Sequence, residues 1–119
     1  MLQKITLAAK FDLFADHWQP RIAAELNDSH LKLVKLQGEF VWHLHETEDE
    51  LFLVVKGILV IRLRDGEVRL GPCECVVVPR GVEHMPVAAE EVHLVLLEPK
   101  TTTNTGSAGG ERTAAAQWV

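Results

Sequence analysis

Residues 38–57 read GEFVWHLHETEDELFLVVKG, a stretch of strand-forming residues that contains two closely spaced histidines. Because His43 and His45 are two positions apart, on a β-strand their imidazoles leave the same face, with Cβ atoms about 6 to 7 Å apart. Glu50 begins the next apolar run after a turn, and its carboxylate can add a hard oxygen to the two nitrogens. This stretch therefore predicts two neighbouring strands that bring potential metal ligands together.

A third histidine, His84, follows the turn-forming sequence PRGVE at residues 79–83. Three imidazoles and one carboxylate suit Fe(II), Mn(II), Co(II), Ni(II) or Zn(II), and they leave open positions on a five- or six-coordinate ion. The alternative is that these side chains only fill the interior and bind no ion. Burying them without an ion or a complete hydrogen-bond network costs free energy, which favours a metal site.

Short runs of strand-forming residues recur along most of the chain, separated by turns rich in glycine and proline. They lie at residues 21–26, 31–36, 39–45, 51–55, 58–63, 67–70, 74–78 and 92–97. Strands this short, joined by turns rather than helices, favour an antiparallel sandwich or barrel and leave no room for crossovers between parallel strands. The fold class is therefore predicted to be all-β.

The two ends of the chain differ from this strand-rich middle. From residue 5 to residue 18, apolar residues recur at helical spacing, which predicts a short N-terminal helix that ends before Pro20. Residues 101–110 read TTTNTGSAGG and are too poor in apolar residues to form a core. We therefore expect a barrel domain over residues 1–100 and a polar tail over residues 101–119. The tail either docks onto this barrel or a neighbouring subunit, or frays.

The composition is that of one globular domain of 119 residues, with 47% hydrophobic and 24% charged residues. Twelve basic and seventeen acidic residues give a net charge of −5, which disfavours nucleic acid and membrane surfaces as partners. The sequence contains neither an apolar run of about 20 residues nor a secretory signal, so we expect a cytoplasmic protein. Cys73 and Cys75 are expected to be reduced thiols in the core, with a redox or metal role as the alternative.

The stretch at residues 38–57 resembles the first conserved motif of the cupin superfamily, and residues 79–84 resemble its second. The residues that match the first motif are Gly38, His43, His45, Glu50 and Gly57. The chain departs from the family pattern in the Gly38–His43 gap, which is one residue short, in Cys73-Glu74 where Gly-Asp is usual, and in Ala88 where asparagine is common. The resemblance covers residues 31–98, and it is greatest to small single-domain cupins that are compared with mannose-6-phosphate isomerases.

This resemblance implies a small antiparallel β-barrel of the jelly-roll type, often a homodimer, with one divalent metal ion per chain at its mouth. Carried over residue by residue, it implies the metal ligands His43, His45, Glu50 and His84. A homodimer would also cover the apolar outer faces expected at Trp42, Leu51, Leu53 and Val55.

Residues near these ligands are candidates for binding and chemistry. Alternation along the strands predicts a substrate pocket lined by Val41, Phe52 and Val54, and Arg80 flanks the turn before His84. His93 either points into the barrel near the metal as an acid–base group or is a core histidine that bonds to the backbone. Glu83 is a second acid–base candidate. We expect no role for His17, His30 or the acidic run at residues 46–49.

Two functions from different classes remain open. The first is a metalloenzyme that acts on a small organic molecule by oxygenase, isomerase or lyase chemistry. A phosphorylated sugar is disfavoured, because the sequence has no glycine-rich phosphate loop and few basic residues near the mouth, namely Arg62, Arg64 and Arg80. The second is a module that binds or senses a small ligand or a metal without turnover. An enzyme should hold an acid or base, such as His93 or Glu83, close to the open metal position.

Overall fold

The computed structural model describes residues 2–119, in which strands are the main regular structure. One short helix, α1 (Leu7–Phe11), precedes the sheet. The strands are β1 (Arg21–Leu26), β2 (Ser29–Glu39), β3 (Glu50–Lys56), β4 (Leu59–Leu63), β5 (Gly66–Leu70), β6 (Cys75–Val78), β7 (His84–Pro99) and β8 (Gln117–Trp118). No helix within the described range is long and apolar enough to cross a membrane.

Strand β7 is sixteen residues long and organises the sheet. Along one edge it pairs antiparallel with β2, from Ser29↔Pro99 to Glu39↔Val87. Along its other edge it pairs first with β4 and then with β3. One strand thus joins two groups of strands, β4–β5 and β3–β6, which confirms the predicted all-β jelly-roll barrel.

The barrel interior is lined by alternate residues of the long strands. Its buried apolar members include Val34, Leu36, Phe52, Val54, Leu59, Ile61, Val92, Leu94 and Leu96. A second buried cluster lies on the outer face of β2 and β7 and contains Phe11, Phe14, Ala23, Leu33 and Val95. Both faces of β7 are therefore covered, the outer one by the N-terminal segment.

The N-terminal helix is shorter than the sequence predicted, since α1 ends at Phe11 rather than near residue 18. The chain after it pairs with β2 instead: the Trp18 backbone N–H donates to Lys35 O at 2.9 Å, and Trp18 Nε1 donates to Gln37 O at 2.9 Å. Apolar residues at helical spacing can also pack on a sheet surface when the backbone is irregular, as Phe14 does here. The spacing identified the buried residues correctly but not the length of the helix.

The predicted strand at residues 39–45 is also only partly correct. Strand β2 continues to Glu39, and beyond it only His43 makes a bridge, opposite His84. The register of β2 on β7 shifts between Leu36 and Gly38, and Gly38 has φ +87°. This irregularity turns the chain away from a regular ladder before it reaches the histidines.

The cysteine prediction is wrong about burial, because both free thiols are exposed. Cys73 lies in the turn before β6 with φ +66°, and Cys75 is the first residue of β6. Within residues 2–119, strand β6 pairs only with β3, so it is an edge strand. The buried residue of this strand is Val78, at the end opposite Cys75.

The C-terminal segment docks onto its own barrel rather than fraying. Strand β8 pairs parallel with β1, through Arg21↔Gln117 and Ile22↔Trp118. Lys10 Nζ donates to Val119 O at 2.9 Å, and Thr105 is completely buried. The segment at residues 101–119 therefore contacts the barrel at several points, although most of its residues are exposed.

We predict that Phe11→Ala destabilises the fold strongly although Phe11 lies outside the barrel. Its side chain is 1% exposed and its ring stacks on His93 with 4.6 Å between centroids. Truncating a buried phenylalanine costs about 3–5 kcal/mol of unfolding free energy. Urea denaturation is the measurement, and Leu13→Ala, at a residue 67% exposed, is the matched control, with an expected change of about 0.5 kcal/mol or less. Equal small effects would show that the N-terminal segment does not contribute to the core.

Candidate metal centre

Four buried side chains from separate parts of the chain meet at one end of the barrel interior. His43 and His45 lie after β2, Glu50 is the first residue of β3, and His84 is the first residue of β7. One donor atom from each lies within 4.8 Å of the others. The structure thus brings together all four residues that the sequence singled out.

Backbone hydrogen bonds hold the segments that carry these side chains. His43 N–H donates to His84 O at 3.0 Å, and His84 N–H donates back to His43 O at 2.9 Å. Gly81 N–H donates to His45 O at 2.8 Å, which ties the turn before β7 to the second histidine. The positions of the ligand side chains therefore follow from main-chain pairing.

Two of the imidazoles are fixed in the orientation that a metal ligand needs. His43 Nδ1 contacts Val41 O at 2.9 Å, and His84 Nδ1 contacts Val82 O at 2.9 Å. A carbonyl oxygen only accepts hydrogen bonds, so Nδ1 carries the proton in each ring and Nε2 presents its lone pair. Both Nε2 atoms are thereby free to bind a cation.

Three donor atoms at the centre are buried and have no hydrogen-bond partner among residues 2–119: His45 Nε2, His84 Nε2 and Glu50 Oε1. Glu50 Oε1 lies 2.9 Å from His45 Nε2 and 3.5 Å from His84 Nε2, but these contacts lack hydrogen-bond alignment. Buried polar atoms without partners are costly and uncommon in folded proteins. Lone pairs that converge on one point fit a bound cation, so these residues suit a divalent metal.

The electrostatics of the centre favour the protonation states that bind metals. Burial, reinforced by the neighbouring His84, lowers the pKa of His43 from 6.5 to about 4. Burial would raise the pKa of Glu50, but its polar contacts with Glu98, His45 and His84 more than offset this and lower it. Neutral imidazole and ionised carboxylate are the forms that coordinate a metal.

A cavity opens from His43 and Glu50 toward the surface. Its walls are mostly apolar, and Trp18 and Phe40 form a stacked pair with 4.7 Å between ring centroids. The residues lining it are Trp18, Pro20, Val34, Leu36, Phe40, His43, Glu50, Phe52, Pro86, Leu94, Leu96, Glu98 and Asn104. The donor group therefore faces a cavity with apolar walls and two further polar side chains.

Comparison with known proteins agrees with this arrangement. A family model described as "Cupin domain" matches residues 31–99, more than half of the chain. The chain belongs to the cupin family.

Solved structures resemble this cupin over most of its length. A cupin-2 domain containing protein from Shewanella frigidimarina is 49% identical, with a TM-score of 0.79, over 80% of this chain and 93% of that one. Protein NMB1881 from Neisseria meningitidis is 31% identical, with a TM-score of 0.75, over 82% of this chain and 99% of that one.

Sequence comparison adds a relative that is named for a reaction. An acireductone dioxygenase from Bacillus subtilis is 35% identical over 83 residues, which is 66% of this cupin and 47% of the relative. The chain spans about half the length of the curated relatives it matches.

The predicted pocket residues are only partly at the cavity of this cupin. Phe52 lines it, whereas Val54 is packed in the apolar interior and is not among the lining residues. Val41 and Arg80 do not line it either. The Arg80 side chain is 62% exposed and its Nε donates to Asp49 at 3.2 Å, because the turn before β7 directs it to the outer surface.

Neither acid–base candidate faces the cavity. His93 shares the outer face of β7 with Val95; it stacks on Phe11 and contacts Glu91 Oε1 at 3.1 Å. Glu83 accepts a hydrogen bond from Arg64 Nε at 2.6 Å on the surface. For His93, alternation along β7 shows which residues share a face but not which face points inward. Glu83 lies in the turn before β7, where its pairing with Arg64 keeps it on the surface.

Sequence analysis missed Glu98, which lies at the cavity. It continues the inward row of Val92, Leu94 and Leu96 and is 3% exposed, with Oε1 accepting a hydrogen bond from Lys32 Nζ at 2.8 Å. Burial and the neighbouring Glu50 carboxylate raise the pKa of Glu98 well above its ordinary value, although Lys32 opposes this. The sequence did contain an indication: Glu98 is the next alternate position after Val92, Leu94 and Leu96, so it shares their face of the strand.

We predict that the titration of His43 lowers the stability of the metal-free cupin as the pH falls from about 6.5 to about 4, while Glu98, whose pKa is raised, contributes in the opposite direction. In this range the unfolded chain takes up a proton at His43 that the folded chain cannot, so protonation stabilises the unfolded state relative to the folded one. A pKa lowered from 6.5 to about 4 corresponds to about 3 kcal/mol for complete titration. Urea unfolding across this pH range measures the loss.

The variant His43→Gln should show a shallower dependence on pH than the unaltered chain. His17→Gln, at a histidine outside the site that pairs with Glu91, is the control and should leave the part of the slope due to His43 unchanged. Identical slopes for the unaltered chain and His43→Gln would contradict the assignment to His43.

Proposed function

We propose that this cupin binds one divalent metal ion through His43, His45, Glu50 and His84, and that it acts as a metalloenzyme on a small organic molecule. The observation that carries this proposal is the set of three buried donor atoms with no partner in the described part of the chain. A mostly apolar cavity lies beside them, and we assign the substrate to it.

When bound, such a metal supplies Lewis acidity, and iron also supplies redox chemistry. The chain's own residues bind and orient the substrate. The stacked Trp18 and Phe40 rings offer an apolar surface and exclude water, while Glu98 and Asn104 offer polar contacts at the cavity wall. Glu98 Oε2 is buried without a hydrogen-bond partner within residues 2–119, so a polar group of the substrate can bind there.

Arg112 gives a further indication of the substrate class. Its guanidinium lies 5.5 Å from the centroid of the Phe40 ring and 5.7 Å from that of Trp18. A cation held over the aromatic wall can pair with a carboxylate at one end of a largely apolar molecule. We therefore propose a small organic acid as the substrate.

Dioxygenase chemistry is the reaction type we put first, because a relative 35% identical over 83 residues bears that name. Sugar-phosphate isomerisation is less well supported. Among residues 2–119, no lysine or arginine lines the cavity itself, and Arg112 beside its aromatic wall is a single cation. One guanidinium can pair with a carboxylate, whereas a phosphate group is typically bound by several cations or by a cluster of backbone N–H groups.

A binding module without turnover is the alternative. The observation that favours it is the outward placement of His93 and Glu83, which leaves neither of these acid–base candidates beside the cavity. The predicted homodimer stays a prediction, and exposed apolar residues such as Val55, Ile58 and Val77 are the surface it would cover.

We predict that freshly purified protein carries about one divalent metal ion per chain and that the double substitution His43→Ala/His45→Ala abolishes binding. The reason is that two of the four donors disappear. Elemental analysis measures the content, and it identifies the metal. His17→Ala/His30→Ala, which removes two histidines outside the group, should leave the content unchanged. Metal-free protein from a metal-replete preparation would contradict the proposal.

A second prediction separates the enzyme from the binding module. The protein loaded with Fe(II), Mn(II) or Zn(II) is incubated with a panel of small organic acids and the matching uncharged amides. An enzyme of the proposed kind consumes oxygen with the Fe(II) form and a member of the acid series, and forms product. Saturable binding without product in all three metal forms would support the binding module and contradict the enzyme.

A further inference from the structure

His45 differs from the other two histidines in what holds its ring. His43 and His84 each contact a backbone carbonyl through Nδ1. In the described chain we find no equivalent carbonyl contact for His45, whose Nδ1 lies 4.0 Å from Glu48 Oε1, beyond hydrogen-bond distance. Apart from Glu50 beside Nε2, the orientation of this ring therefore depends on packing.

The C-terminal segment supplies that packing. Gly106 lies against the main chain at Leu44 and the ring of His45: a Cβ atom at position 106 would overlap Leu44 O and would stand 3.0 Å from His45 Nδ1. Gly106 also has φ +51°, in the left-handed region. Only glycine brings the segment this close to the histidine without displacing it.

Ser107 fixes the backbone next to the same histidine. Its N–H donates to Leu44 O at 2.9 Å, and its Oγ accepts a hydrogen bond from Leu44 N–H at 3.2 Å. Both polar groups of Leu44 are thus bound by one residue of the C-terminal segment. On the other side, Gly81 N–H binds His45 O. The histidine is held between two chain segments.

The C-terminal segment is itself rigidly folded. Asn104 Nδ2 donates to Arg112 O at 2.8 Å, and Asn104 Oδ1 accepts from Ala114 N–H at 3.0 Å. The hydroxyls of Thr105 and Thr113 lie 2.6 Å apart, and Thr105 is completely buried. A segment with these internal contacts can act as a fixed support.

We propose that Gly106 and Ser107 are positioning residues for His45, so that the C-terminal segment completes the metal centre. This proposal rests on the proposed function, because it requires His45 to be a ligand. It assigns a role to a segment outside residues 31–99, the range of the family match.

The test compares Gly106→Ala with Gly109→Ala in the full chain. Both glycines have left-handed φ values, +51° and +58°, so both variants acquire similar backbone strain. A Cβ atom at position 109 has nothing within 4 Å, whereas one at position 106 displaces Leu44 and His45. Zn²⁺ affinity is measured by competition with a chelator. The visible absorption spectrum of the Co²⁺ form and the melting temperature of metal-free protein are recorded in parallel.

Gly106→Ala should weaken Zn²⁺ binding about 10- to 100-fold, the range for loss of groups that orient a ligand, and should alter the Co²⁺ spectrum. Gly109→Ala should bind Zn²⁺ like the unaltered chain. Ser107→Ala removes one hydrogen bond without adding strain, and it should also weaken Zn²⁺ binding. This variant provides the test if Gly106→Ala does not fold.

Normal Zn²⁺ affinity and an unchanged Co²⁺ spectrum in Ser107→Ala and in any folded Gly106→Ala would overturn the inference while leaving the proposed function intact. Equal weakening by Gly109→Ala would also overturn it, since strain alone would then account for the effect. If the unaltered chain binds no Zn²⁺, the proposed function and the inference fail together.

Discussion

The architecture depends on the antiparallel pairing of β7 with β2, which runs from one end of β7 almost to the other. Because β7 is longer than any partner on its second edge, it pairs there with β4 near His84 and with β3 near Pro99. This division places the first residue of β7 beside the segment that follows β2. The result is a β-bridge between His43 and His84, which brings the segment after β2 and the start of β7 together at the site.

The same pairing explains why an apolar interior contains so polar a group. Rows of aliphatic side chains on β2, β3, β4 and β7 surround the interior, and the histidines and Glu50 lie where these rows end. At such an end the chain leaves the regular ladder, so side chains from different segments can converge on one point. Burial then excludes water, which lowers the pKa of His43 and keeps the lone pair of that imidazole available.

Local patterns in the sequence predicted the strands, the fold class and the four converging residues, because each depends on spacing within a few positions or on a recognisable motif. Which face of β7 points into the barrel could not be predicted in this way. Leu94 and Leu96 point into the barrel while Val95 packs under Phe11 and Phe14, so both faces of the strand are apolar and the period-two pattern does not distinguish them. The sequence therefore left both placements of His93 open, and the structure has it on the outer face. The contacts of Gly106 with His45 and of Arg112 with Phe40 join residues more than sixty positions apart, and no local pattern encodes them.

The buried pair of Lys32 and Glu98 has a consequence for how proteins with this cavity diverge. Replacing Lys32 alone leaves the buried carboxyl groups of Glu98 and Glu50 without their cation, and replacing Glu98 alone leaves the buried Lys32 ammonium without its partner. Either change is more damaging than removing both members of the pair together. During evolution, this wall of the cavity can therefore change only through a single-substitution protein of low stability or by replacement of both residues at once. The polarity of the wall is therefore expected to persist through long periods of drift and then to change in a single step, together with the molecules that the cavity accepts.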